Sequence, residues 1–299
     1  GHARRALVVR PASAPAKAPV VLAFHGGGGN ARGTRAAYEL EPVAEREGFV
    51  VVYPEGVGKK VLGKTFAVWG VDAMKAKRPE TEVDDVGFVG ELLDRLGRRG
   101  DLDMRRVYAM GLSNGSMMSL ELACELSERI AAVVGTGGTL ARTDCESARA
   151  VPTLYVAGEV DPCWPYQGGP CAGCFQKAMK ELGWRKKPVE YATCGSYEDF
   201  VSEWARHLGC TDPAQALPQS GSARCREFSS CADASVFRAC SVPDLGHVWP
   251  GAGYGSCEGK EDKKWCAAYI NAIGPTSDEL SLATEGWDFV KQFTLPTPD

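Results

Sequence analysis

Three side chains in this 299-residue sequence have the types and the chain order that nucleophilic acyl chemistry needs. Ser113 stands in Gly111-Leu112-Ser113-Asn114-Gly115, between the apolar run 106–110 and a helix-compatible segment at 116–126. A serine lifted on a tight strand-to-helix turn needs small residues two before and two after it, because the neighbouring backbone comes too close for a Cβ. A serine hydroxyl is a weak nucleophile at neutral pH, so this placement requires a histidine base and a carboxylate to orient it. The chain has four histidines. His2 is terminal, His25 ends an apolar run before four glycines, and His207 falls in a helix expected at 197–208. His247, in Asp244-Leu245-Gly246-His247-Val248-Trp249-Pro250-Gly251, follows the last apolar run and is the base this reading selects, ahead of His207. The acid should leave a strand end between nucleophile and base. Asp161 does so in Gly158-Glu159-Val160-Asp161-Pro162, with Glu159 as its neighbouring competitor, although an aspartate before proline also serves simple turns.

The tetrahedral oxyanion of acyl transfer needs N–H donors. Phe24-His25-Gly26-Gly27-Gly28-Gly29-Asn30 offers backbone amides without side-chain obstruction, and Gly27 together with the Asn114 amide is the expected oxyanion hole. The same glycines match neither phosphate-binding fingerprint, so no nucleotide is expected. His25 then braces the loop rather than acting as a base. Trp69, Trp164, Tyr166 and Trp249 lie near these segments and are the candidate substrate-binding aromatics, with ordinary packing as the competing reading.

The elements that must position these residues follow from periodicity. Apolar runs at 6–9, 20–25, 49–53, 106–110, 131–134, 153–157 and 236–242 alternate with segments at 35–47, 85–98 and 278–293 that carry apolar residues at three- and four-residue spacing. Such alternation predicts an α/β fold with a mainly parallel sheet covered on both faces, with Asp84 as N-cap of the second helix. A single catalytic domain over 1–299 is expected. Regular alternation thins from Gly158 onward, and a cysteine-rich loop region at about 158–270 is expected over the carboxyl edge of the sheet.

A net charge of −4, without sustained basic runs, gives no footprint for nucleic acid or an anionic membrane. No apolar stretch has the length of a membrane span, and no signal segment stands at Gly1. Twelve cysteines, ten of them between Cys163 and Cys266, read as a disulfide framework of an oxidising compartment, secreted or periplasmic. Cys171-Ala172-Gly173-Cys174 has half the spacing of a zinc site but no second half, so neither metal nor cofactor is expected. The spacing leaves the disulfide connectivity open.

With these residues in place, the chain resembles the family of secreted esterases that groups polyhydroxybutyrate depolymerases with feruloyl and acetylxylan esterases. The resemblance extends over nearly the whole chain. It is carried by the His25-Gly26 loop, Tyr53-Pro54-Glu55-Gly56, Val83-Asp84-Asp85-Val86-Gly87-Phe88, the Ser113 pentapeptide, Gly158 to Tyr166, and Gly246-His247-Val248-Trp249-Pro250-Gly251. It implies an α/β-hydrolase fold and a triad of Ser113, Asp161 and His247, acting on feruloyl-type, acetyl or 3-hydroxyalkanoate esters. Ser116 departs from the family, which often has a second glycine there, and the cysteines from Cys163 onward exceed the usual few. No polymer-binding module follows the catalytic region, which weakens the case for attack on a solid polymer; a small or polymeric ester substrate and a monomeric enzyme are expected. The rival readings are a non-catalytic extracellular binding protein on a hydrolase scaffold, and a serine peptidase or acyltransferase.

Overall fold

Nine strands hydrogen-bond into one sheet, and their order brings residues far apart in sequence to one edge. The computed structural model describes residues 3–61, 64–71, 83–140, 147–219 and 221–297; His2 and Cys145 lie outside them. The strands are β1 (Ala6–Val9), β2 (Ala18–Phe24), β3 (Val50–Pro54), β4 (Val57–Val61), β5 (Lys64–Val68), β6 (Leu102–Leu112), β7 (Ala132–Thr136), β8 (Thr153–Gly158), β9 (Gly169–Cys171), β10 (Ala192–Cys194), β11 (Gln215–Ala216), β12 (Arg224–Phe228) and β13 (Phe237–Val242). The large sheet runs β1-β3-β2-β6-β7-β8-β13-β12-β11. It is parallel from β3 to β13 and antiparallel at both edges. The helices are α1 (Ala31–Ala37), α2 (Leu40–Glu47), α3 (Asp85–Gly97), α4 (Asn114–Glu125), α5 (Cys174–Glu181), α6 (Tyr197–His207), α7 (Lys264–Ile273) and α8 (Leu282–Val290).

Every residue of β2, β3, β7 and β8 is buried, as expected for strands covered on both faces. Successive side chains point to opposite faces. Val21 and Ala23 therefore join one core with α1, α2, α7 and α8, while Val20, Leu22 and Phe24 join the other with α3, α4 and α6. The parallel strands deliver their carboxyl ends to one edge, where β2 leads to His25, β6 to Ser113, β8 to Asp161 and β13 to His247.

Two expectations about helices need correction. The segment 35–47 is not one helix: α1 ends at Ala37, and Glu39 takes φ 52° before α2 starts. The cause is Pro42, which has no N–H to donate to the Tyr38 carbonyl four residues earlier. The last helix occupies only Leu282–Val290, because the preceding residues strap the His247 loop instead. Gly246 N–H donates to Pro275 O at 2.8 Å and Gly251 N–H to Ser277 O at 3.0 Å. The cysteine-rich region holds more regular structure than its composition indicated, namely α5, α6, α7 and the short strands β9 to β12. Asp84 does cap α3, its side chain accepting from Gly87 N–H at 2.7 Å.

Candidate active site

The turn from β6 into α4 places Ser113 at φ 60° and ψ −124°, a region costly for a residue with a Cβ. Glycine is required on both sides. A Cβ on Gly111 would lie 2.2 Å from the Gly115 backbone, and one on Gly115 would lie 2.2 Å from Phe24 O. Ser113 N–H donates to Thr136 O at 2.8 Å, fixing the turn to β7. Ser116, at the position where a glycine was the family norm, is fully buried and donates its hydroxyl to Gly138 O at 2.6 Å.

The buried Asp161 and the partly buried His247 form a pair with Nδ1 and Oδ2 2.8 Å apart. The other carboxylate oxygen accepts the N–H groups of Cys163 at 2.7 Å and Trp164 at 2.8 Å. With Asp161 accepting at both oxygens, the hydrogen-bond network assigns the imidazole proton to Nδ1 and leaves the Nε2 lone pair free. The two loops are joined directly, since Val160 N–H donates to Leu245 O at 3.3 Å. Gly137 and Gly138 lie against His247 and Ser113 respectively. A Cβ on Gly137 would meet His247 Nδ1 at 3.0 Å, and one on Gly138 would meet the Ser113 carbonyl oxygen at 2.3 Å. Glu159, the competing carboxylate, is paired with Arg224 instead. His207 packs on Trp204 at the end of α6, partly buried and with the ring centroids 4.9 Å apart.

The glycine loop is latched by the β4–β5 hairpin. Gly28 N–H donates to Ala67 O at 2.8 Å, Ala67 N–H to Gly29 O at 3.1 Å, and Gly29 N–H to Gly26 O at 3.0 Å. These bonds consume the amides on either side of the turn. Among the described residues, no protein acceptor is bonded to the Gly27 N–H or to that of Asn114, at the positive end of α4. His25 is buried; its Nε2 accepts Gly56 N–H at 3.0 Å, so Nδ1 carries the proton and donates to Gly26 O at 2.8 Å. Burial pulls its pKa from 6.5 to about 4, which keeps the ring neutral. Glu55 of the same segment holds Arg5.

The four aromatics divide. Trp69 is fully buried: its indole N–H donates to His25 O at 3.0 Å, and its backbone is clamped by the Asn114 side chain at 2.7 and 3.1 Å. Trp249 is buried too, stacked on Tyr38 at 3.9 Å. Neither presents a face to substrate, and both are corrected to bracing residues. Trp164 and Tyr166 are half-buried and, with Asp161 and Thr139, line a cavity of about 10 Å³, room for one water.

Sequence reasoning missed Tyr38 and the structural use of Asp85. The buried Tyr38 hydroxyl donates to Phe24 O at 2.8 Å and accepts Leu112 N–H at 2.9 Å, tying the strand ends that carry the glycine loop and the nucleophile. Asp85 accepts from Arg4 at 2.5 Å and from Gly70 N–H at 2.7 Å, fixing the Trp69-Gly70 segment. No local signal marked Tyr38, whereas Asp85 lay in a motif whose role was left unassigned. Cys171 and Cys174 belong to different disulfides, with Cys194 and Cys163, which removes the zinc and redox readings of their spacing. Asp161, Cys163 and His247 cluster within 4.8 Å of one another, but the Cys163 sulfur is committed to its disulfide and is no thiolate ligand.

The family described as Phospholipase/Carboxylesterase matches residues 4–205. The chain belongs to that family and has the α/β-hydrolase fold. This carboxylesterase-family chain is 26% identical over 285 residues to feruloyl esterase B of Piromyces equi, covering 93% of the chain but 43% of that protein. It thus spans less than half of that relative's length. A putative esterase of Nocardia uniformis subsp. tsuyamanensis is 27% identical over 282 residues, covering 92% of the chain and 75% of the relative. Among solved structures, the acetyl xylan esterase from Aspergillus awamori superposes with a TM-score of 0.55 at 13% identity, covering 88% of this chain and 93% of that one, a likeness of fold.

Proposed function

We propose that this protein is an extracellular carboxylic ester hydrolase working through an acyl-enzyme on feruloyl or acetyl esters of plant polysaccharide. The observation that carries it is the strained Ser113, whose backbone lies against Gly138, together with the hydrogen-bonded His247–Asp161 pair, whose imidazole lies against the adjoining Gly137. The names of the relatives, feruloyl esterase B and a bifunctional acetylxylan esterase/xylanase of Neocallimastix patriciarum, support the substrate class over 3-hydroxyalkanoate esters. The disulfides support an oxidising, extracellular setting.

In this mechanism Ser113 Oγ attacks the ester carbonyl while His247 Nε2 takes the hydroxyl proton. Asp161 keeps the imidazole oriented and stabilises the imidazolium. The Gly27 and Asn114 amides donate to the oxyanion, each worth about 3 kcal/mol in such sites. Collapse breaks the ester C–O bond, and the leaving alkoxide receives the proton from His247. Water, deprotonated by the same nitrogen, then releases the acid and restores Ser113. Replacing Ser113 by Ala should lower kcat on p-nitrophenyl acetate and methyl ferulate by roughly 10⁴-fold or more. Turnover surviving in that variant would rule the assignment out.

A further inference from the structure

We propose that Phe66, Phe175, Trp265 and Trp184 form a saccharide-binding strip that carries the polysaccharide part of the substrate to the glycine loop; the inference rests on the esterase reading above. The strip begins beside the catalytic centre. A Cβ built on Gly28, next to Gly27, would stand 3.9 Å from both Phe66 and Phe175. From there Phe66 meets Phe175 at 5.9 Å, Phe175 meets the edge of Trp265 at 6.0 Å, and Trp265 stacks on Trp184 at 5.6 Å with their planes 4° apart.

The strip presents contiguous aromatic surface to solvent, the kind of apolar patch that marks binding sites. Trp184 is 63% exposed and Phe175 37%. Both are held rigidly. Phe175 follows Cys174, whose disulfide reaches Cys163 in the acid loop, and the N–H groups of Trp184 and Arg185 both donate to Met179 O, at 2.9 and 3.1 Å. One face of Trp184 rests on Trp265, so the other presents a preformed flat platform that loses little entropy on binding.

The surroundings select the occupant. A pyranose ring offers an apolar C–H face for an aromatic plane and a rim of hydroxyls, and the segments that carry Trp184 and Trp265 also carry hydrogen-bonding groups: Arg185, next to Trp184 in the chain, donates to Glu190, and Asn271 of α7 donates to Glu181 at the end of α5. An aliphatic polyester would cover the rings but, offering only acceptors, would leave the carboxylates Glu181 and Glu190 without new donors. Continuity with the oxyanion loop makes the strip an approach path to the ester rather than a detached surface patch.

Affinity electrophoresis in gels containing soluble xylan tests this, using the full chain with Ser113→Ala so that retardation is read without turnover and stands or falls independently of esterase activity. The Ser113→Ala chain should be retarded. Adding Trp184→Ala should weaken apparent affinity by about tenfold, the effect of one lost ring platform, while Trp184→Phe retains most of it. Val8→Ser, which removes an exposed apolar side chain on the edge strand β1, should leave retardation unchanged. Equal retardation of the Trp184→Ala chain would overturn the proposal. So would mobility unaffected by xylan, or adsorption to polyhydroxybutyrate particles without xylan binding.

Discussion

Ser113 occupies a backbone region, φ 60° and ψ −124°, where glycine alone is at ease, and the strain costs on the order of 1–3 kcal/mol. Relief of that strain separates the roles of Cβ and hydroxyl. Ser113→Gly should raise the free energy of unfolding by about 1 kcal/mol, whereas Ser113→Ala, with the same Cβ, should not; urea titrations of the two variants compare them directly. His25 supplies a pH-dependent counterpart. The unfolded chain protonates this imidazole near 6.5 and the folded chain only near 4, so between those values the unfolded state binds more protons. Its stabilising contribution is complete above pH 6.5 and lost progressively as pH falls to about 4, in total roughly 3 kcal/mol. Urea midpoints measured from pH 7 to 4 should fall more steeply for the parent than for His25→Gln, and parallel profiles would refute the assignment. Residue type and chain order singled out Ser113, Asp161 and His247 because acyl-transfer chemistry dictates both, and the Asp161–His247 hydrogen bond is the part of that set that geometry displays. The roles of Trp69 and Trp249 were not legible, because what buries them, the clamp by Asn114 and the ring of Tyr38, comes from elsewhere in the chain.

At the scale of elements, the strands were readable from uninterrupted apolar runs, since a strand buried on both faces leaves few polar positions. The β4–β5 hairpin escaped notice because it pairs not with the sheet but with the glycine loop, a contact that no local pattern encodes. Helix α5 escaped for a related reason: it is a short helix anchored by Cys174, and its packing against α7 depends on residues about ninety positions later, such as the Asn271 bond to Glu181 at 3.3 Å. These peripheral pieces meet at Asp85, which joins the N-terminal Arg4 to the Trp69-Gly70 segment behind the nucleophile. Asp85 is only 2% exposed, so its removal strands the Gly70 amide and leaves the part-buried Arg4 guanidinium without its carboxylate, with the Glu55 carbonyl as a remaining acceptor. Asp85→Ala should cost about 3–5 kcal/mol in thermal or chemical unfolding and should also lower kcat through the loosened Trp69–Asn114 clamp. Asp85→Asn, keeping one acceptor, should lose less on both measures. Loss of stability with kcat unchanged would show that the clamp does not reach the nucleophile.

Across the whole molecule the disulfides are distributed unevenly, and that distribution separates their effects. Cys210–Cys231 and Cys225–Cys240 staple the far edge of the sheet around β12 and β13, and Cys257–Cys266 secures the start of α7. Cys163–Cys174 is placed differently. It ties α5 to the loop whose Cys163 amide holds Asp161, and through Phe175 it reaches the glycine loop at Gly28. Opening either kind of link frees the unfolded chain comparably, since the closed segments span 11 residues for Cys163–Cys174 and 21 for Cys210–Cys231, so each double Cys→Ala variant should lose about 3 kcal/mol. Their catalytic consequences should diverge. The Cys163→Ala/Cys174→Ala chain should lose about tenfold in kcat on p-nitrophenyl acetate at a temperature where it remains folded, because the donor to Asp161 and the seat of Phe175 are released together. The Cys210→Ala/Cys231→Ala chain should keep its kcat, because the segment's ion pair to the acid loop, Arg224 to Glu159, ends on Glu159 rather than Asp161 and lies on β12, which Cys225–Cys240 still holds. Equal kcat losses in the two variants would mean that the far edge and the acid loop move as one body, and that the framework serves stability without discriminating the site.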